Sequence, residues 1–232
     1  MTDIEAQYRQ VEERIRAACA RAGRNREEVE LIAVSKTKPV SMIEEVYRLG
    51  QRVFGENRPQ EIRDKSLVCP ADIRWHMIGH LQKNKLRYVV GKTELIHSVD
   101  SLELAEAISA EAEKKQTEAS ILLEVNVAEE STKFGLMVSD TANLAEKIAR
   151  LPRVHIKGLM TVAPFVPDPE ENRSVFRRLR QLSVDIDRQN IDNVSMSVLS
   201  MGMTNDFEIA IEEGATCVRV GTAIFGARDY SV

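Results

Sequence analysis

The sequence predicts an α/β fold: one (β/α)8 barrel over residues 1–232, with an extra helix ahead of the first strand. Three observations carry this expectation. Eight short runs rich in aliphatic and β-branched residues recur along the chain, and amphipathic segments of helical period separate them. Aromatic residues make up only 5%, so the core is aliphatic, as when parallel strands are covered on both faces. Strand–helix alternation implies parallel pairing through right-handed crossovers, and eight repeats in 232 residues favour closure into a barrel.

The elements follow in order. Ile4, Tyr8, Val11, Ile15 and Ala18 lie at helical spacing and form the extra helix. The first four strands are expected at Leu31–Thr37, Arg52–Asn57, Arg74–Gly79 and Leu95–Asp100. The last four are expected at Ile121–Val127, His155–Val162, Ser195–Met201 and Cys217–Gly221. Helices are expected at Ser41–Leu49, Ser101–Lys115, Thr141–Arg150, Pro169–Arg188 and Asn205–Glu213. Ser41 with Glu44, Asp100 with Glu103 and Asn205 with Glu208 have capping-box spacing. Gly50 and Gly214 stand where helices should end. The proline-rich stretch Ala163–Glu171 reads as the loop after strand six, and no linker or low-complexity tract divides the chain.

Composition narrows the function classes. A formal net charge of −4 argues against general nucleic-acid binding, which needs a basic face. The three cysteines, Cys19, Cys69 and Cys217, have neither CxxC spacing nor an even count, so neither a disulfide framework nor a zinc site is expected, and no metal is expected. The charged N-terminus lacks the apolar core of a signal peptide, and no apolar run reaches the roughly 20 residues needed to cross a bilayer. Cytoplasmic location, without membrane association, is the expectation. No exposed apolar heptad demands a dimer, so a monomer is expected.

Barrel chemistry sits at the carboxyl ends of the strands. Ile32, Val34 and Lys36 share a strand face, which points Lys36 into the barrel mouth. Desolvation there would turn its amine into a nucleophile for an aldehyde; equally, Lys36 could reach out to solvent, as could Lys38. Strand seven ends in Ser200-Met201-Gly202-Met203-Thr204 and strand eight in Gly221-Thr222. Small polar turns at these two places suit a phosphate group, although glycines also serve plain tight turns. Arg219, in mid-strand, needs a buried acceptor. It could donate to a pyridine nitrogen or form an ion pair with Glu56, Glu124 or Asp100. His76 suits either a ring contact or a hydrogen-bonded core position. His80, His97 and His155 have no metal-ligand spacing. The basic run from Gln82 to Arg87 reads as a solvated face.

The segments LIAVSKTKP, FGENRPQE, WHMIGHLQKNK, VNVAEESTKFG, KGLMTV, LSMGMTNDFEIAIEEG and VRVGTAIFGARDY, in this order, closely resemble the pyridoxal-phosphate homeostasis protein family. That family is related to the N-terminal barrel of alanine racemase. The resemblance implies pyridoxal 5′-phosphate (PLP) held as a Schiff base on Lys36, in a barrel of the PLP fold-type III kind. It places Arg219 at the pyridine nitrogen and Asn57 beside the ring. It sets Ser200, Met201, Gly202, Gly221 and Thr222 around the phosphate. The implied role is vitamin B6 and amino-acid/keto-acid balance without an established reaction, with apo PLP-dependent enzymes as candidate recipients.

Alanine racemase adds a second domain that supplies a catalytic tyrosine, whereas this sequence ends ten residues after Thr222. Racemisation needs proton transfer on both faces of the substrate carbon. Lys36 could serve one face, and Tyr230 has no evident route to the other. An arginine at the pyridine nitrogen also weakens the electron sink. The sequence therefore reads as a binder with no catalytic residue assigned. A weak racemase or lyase, or an aldolase-type barrel using Lys36, stands as the rival.

Overall fold

A computed structural model describes residues 2–130 and 134–227. Eight parallel strands close into a barrel in chain order, β1 (Glu30–Val34), β2 (Val53–Glu56), β3 (Arg74–Met77), β4 (Leu95–Val99), β5 (Ala119–Glu124), β6 (Val154–Met160), β7 (Val194–Met203) and β8 (Cys217–Val220). Every predicted strand is present, with ends moved by up to three residues. Most strands are buried along nearly their whole length. This is the burial expected when one face fills the barrel and the other meets helices.

The helices are α1 (Asp3–Arg21), α2 (Val40–Arg48), α3 (Pro59–Lys65), α4 (Leu102–Lys115), α5 (Val138–Ile148), α6 (Arg173–Asp187), α7 (Phe207–Glu212) and α8 (Thr222–Phe225). A 3-10 turn at Lys83–Tyr88 takes the place of a helix after β3, and another at Pro169–Asn172 leads into α6. The extra helix α1 buries Tyr8, Val11, Ile15, Ala18 and Cys19 and packs against α2, α7 and α8.

None of the three expected capping boxes forms. Helix α2 starts one residue early, with Pro39 at its N-cap and no side-chain cap, because proline already fixes the extended φ required there. Ser101, not Asp100, caps α4 by accepting from the Leu104 amide. Asp206, not Asn205, precedes α7; its carboxylate accepts instead from the Met203 amide and Asn172. The glycine stops do form: Gly50 and Gly214 take φ of 103° and 101° just past α2 and α7.

The barrel interior is filled by Ile32, Val34, Val53 and Cys217 with Ile78 and Val198, and by Leu95, Leu122 and Met160. The larger apolar cluster lies outside the barrel, under the helices. Register shifts interrupt β7–β8 pairing between Ser200 and Met203, where Gly202 has φ of 90°. Such irregularities re-aim the residues that follow. Here they carry Met203–Asn205 over the barrel mouth.

Candidate functional site

Strand β1 ends at Val34, two residues before Lys36, so Lys36 belongs to the turn beyond the strand. That turn is held from beneath. Lys65 of α3 donates to the Ser35 carbonyl at 2.9 Å, to Glu56 Oε1 at 2.7 Å and to Glu61 Oε1 at 3.0 Å. Ser35 Oγ donates to Glu56 Oε1 at 2.7 Å, and the Thr37 amide donates to Glu61 Oε1 at 2.8 Å. Thr37 itself has φ of 63°, a left-handed conformation that costs a non-glycine residue on the order of 1 kcal/mol or more. Glu61 and Lys65 stand four apart on one helix face, the spacing at which such a pair meets. Burial, only partly offset by Lys65, pushes the Glu56 carboxyl up to about 7.

The turn opens on a cavity of about 470 Å³ at the carboxyl ends of the strands. Lys36, Asn57, Arg219, Gly221 and Thr222 all line it. So do Met203, Thr204 and Asn205, with Phe165 exposed at its rim. Gly221 keeps the floor low: a Cβ there would lie 3.2 Å from the Val34 carbonyl oxygen. Asn57 needs its neighbour Gly79, where a Cβ would stand 2.5 Å from the Asn57 oxygen. Lys38 also reaches the cavity, but its ammonium donates to the Phe225 and Ala227 carbonyls at 2.8 and 2.9 Å, fastening the end of α8. A larger hollow, about 550 Å³, lies alongside and shares Asn57. It has mixed surface charges and no buried cation, so the mouth cavity is the better candidate.

Arg219 is only 5% exposed, and among the described residues no carboxylate pairs with it. The ion pair considered from sequence does not form. Glu56 pairs with Lys65 and Asp100 lies near His80, so neither is available. Arg219 Nη1 instead donates to Ser200 Oγ, and Nη2 donates to the Thr161 carbonyl at 2.8 Å. Both partners are neutral, so the guanidinium keeps its charge and carries it to the cavity floor. Glu124, the last residue of β5, makes no ion pair with it either; burial, then Asp100, pushes its carboxyl up to about 7, against the pull of Arg219.

Three residues expected at the phosphate are not on the cavity wall. Ser200 is fully buried, with its hydroxyl between Arg219 and His97 Nδ1, 2.9 Å away. Met201 packs into the outer core, and Gly202 faces Phe207 and Ala210 of α7. The register shift in β7 is the reason, because it moves the wall from residues 200–202 to 203–205. Sequence reasoning named Met203 and Thr204 only as a strand end and Asn205 only as a cap. It missed the Thr161 carbonyl, which has no side-chain signature, and the Glu61–Lys65 brace, whose four-residue spacing was visible.

Below Ser200 the polar chain continues. His97 Nε2 lies 2.9 Å from His76 Nδ1. Burial holds the His76 imidazole down to about 3 and His97 well below its usual range, so both rings are neutral. His76 is therefore a hydrogen-bonded core histidine and does not line the mouth cavity. Tyr230 and the other closing residues lie outside the described residues. No described helix is long and apolar enough to cross a membrane.

Comparison with known proteins adds four findings. A sequence model of the alanine racemase N-terminal domain matches residues 7–229. The pyridoxal phosphate homeostasis protein of Aquifex aeolicus is 46% identical over 219 residues, which is 94% of this chain and 95% of that protein. Among solved structures, PipY of Synechococcus elongatus with PLP bound superposes with a TM-score of 0.80 at 36% identity, covering 93% of this chain and all of PipY. Alanine racemase of Clostridium difficile shares the fold, with a TM-score of 0.76 at 13% identity, and 58% of its length is covered.

Proposed function

The chain belongs to the pyridoxal phosphate homeostasis protein family, within the alanine racemase N-terminal domain group, and we propose that it holds PLP in the mouth cavity and releases it to apo-enzymes that need it. The single observation that carries this reading is the shared wall: an amine at Lys36 and a buried guanidinium at Arg219 face one cavity. Its 470 Å³ is the size of a small-cofactor pocket, which runs roughly 300–1,000 Å³.

When bound, the cofactor supplies an aldehyde, an aromatic nitrogen and a phosphate. Lys36 would engage the aldehyde, with its turn kept in place by Lys65 and Glu61. Arg219, held by neutral partners, would donate to the ring nitrogen and leave it unprotonated. Asn57 would lie beside the ring. Gly221, Thr222 and the Met203–Asn205 turn would take the phosphate, where small residues let amides approach an anion. Ser200 would act through Arg219, and Met201 and Gly202 through the shape of the turn.

A binder fits this wall better than a racemase. Among the described residues, no tyrosine or histidine lines the cavity opposite Lys36 to move a second proton. A nitrogen kept unprotonated by arginine is also a weak electron sink. We infer a cytoplasmic protein that acts as a monomer and as one domain. The test is the visible spectrum of protein purified without added cofactor. A chromophore present in wild type, lost in Lys36→Ala and kept in Lys38→Ala supports the reading. An unchanged band in Lys36→Ala overturns it.

A further inference from the structure

The opposite end of the barrel holds a second cluster of chemically capable side chains. Glu30 opens β1, Cys217 opens β8, and the two are register partners. His76 of β3 joins them, and one ligand-type atom from each lies within 4.8 Å of the other two. All three line a cavity of about 250 Å³, separate in its lining from the mouth. His76 Nε2 is buried and has no hydrogen-bond partner. A buried polar atom without a partner costs on the order of 1–3 kcal/mol, so it calls for an explanation.

We propose that this cluster binds one divalent cation of the zinc class, through His76 Nε2, the Cys217 sulfur and a Glu30 carboxylate oxygen. Nitrogen, thiolate and carboxylate together suit zinc, and three protein ligands leave a fourth position for water. Bonds of roughly 2.0–2.3 Å in a tetrahedron space the ligands by roughly 3.3–3.8 Å, so movements of about an ångström close the site. The ring is already oriented for the task. His76 Nδ1 is tied to His97 Nε2 at 2.9 Å, the outer hydrogen bond that fixes a metal-binding imidazole. With the Nδ1 proton donated to His97, Nε2 presents its lone pair to the cavity.

The charges set the character of the site. Arg74 pairs with both Glu30 and Glu94, and Lys157 also lines the cavity. Burial raises the Cys217 thiol, so it keeps its proton until a cation arrives. Binding then converts the S–H to a sulfur–metal bond and releases one proton to solvent. Two nearby cations and a single thiolate make this an exchangeable site, weaker than a closed structural zinc centre.

The experiment is a cobalt titration of purified protein dialysed against a chelator. One equivalent of Co²⁺ should give the visible bands of a tetrahedral thiolate site, and Zn²⁺ should bleach them. Cys217→Ser should remove the bands, and Cys69→Ser, in the outer core, should keep them. Glu30→Gln should weaken Co²⁺ binding at least tenfold while circular dichroism stays unchanged. No tetrahedral bands in wild type, or bands that persist in Cys217→Ser, would overturn the proposal. The readout does not involve the mouth cavity, so it stands or falls apart from the PLP reading.

Discussion

Replacing Lys65 by methionine tests how the Lys36 turn is held. Lys65 is 8% exposed and its ammonium makes three hydrogen bonds, to Glu56, Glu61 and the Ser35 carbonyl. Methionine fills a similar volume, so packing changes little. What remains is a Glu56 carboxyl at 0% exposure, with Oε2 already unpartnered and Oε1 left with Ser35 alone. Breaking one side of a buried ion pair costs about 3–5 kcal/mol when the survivor stays charged. Glu56 has a second option, because its carboxyl already stands near 7 and loses the partner that lowered it. Its pKa in the folded variant therefore rises further above the unfolded value. The proton-bound form is stable below the unfolded pKa, and stability is lost as pH rises through the folded one. The deficit against wild type should be about 2 kcal/mol at pH 5, where hydrogen bonds alone are lost, and about 4 kcal/mol at pH 9. Urea unfolding at the two pH values measures it, and the visible chromophore should weaken in parallel as the turn loosens. A deficit that is equal at pH 5 and pH 9, or a turn whose cofactor binding is untouched, would refute this account of the brace.

Three further outcomes are expected. Glu124→Gln removes a carboxyl raised from 4.5 to about 7; the folded state holds that proton longer than the unfolded one, so wild-type stability falls as pH rises through this window, and the variant should gain about 3 kcal/mol over wild type at pH 8 and almost nothing at pH 4.5, read by urea midpoints. Gly202→Ala places a Cβ 2.6 Å from the Ala210 Cβ and 2.8 Å from the Phe207 Cα at φ of 90°, so it should cost about 3 kcal/mol and lower Tm by roughly 10 °C, whereas Gly50→Ala, with nothing within 4 Å, should cost only about 1 kcal/mol. Transfer of PLP from the purified protein to an apo-enzyme, followed by the recipient's activity, should exceed activation by the same total amount of free PLP; equal activation would count against the carrier role.

The barrel was legible because its signal is periodic and repeated. Eight aliphatic runs set the strand count, and the alternating face Ile32–Val34 aimed Lys36 at the mouth even though the strand stops short of it. Gly50 and Gly214 were legible as helix stops because a positive φ selects glycine. The caps were not, since Pro39, Ser101 and Asp206 won their positions through backbone geometry and tertiary bonds that local spacing does not encode. Strand seven meets the cavity at Met203–Asn205 and not at residues 200–202, because a strand irregularity leaves almost no mark on the sequence. Arg219 was singled out correctly as a buried cation, but its partners are a serine hydroxyl and a backbone carbonyl, and only the fold brings those together. The cluster of Glu30, His76 and Cys217 comes from three separate strands, so no spacing motif could have announced it.

Reductive trapping is the most direct measurement of all. Protein as purified is treated with borohydride, digested, and the peptides are weighed. A reduced pyridoxyl group on the peptide carrying Lys36, and absent from Lys38, is the predicted result. A label on Lys38 alone, or no label on a protein that carries the chromophore, would contradict the assignment of the cofactor to this turn.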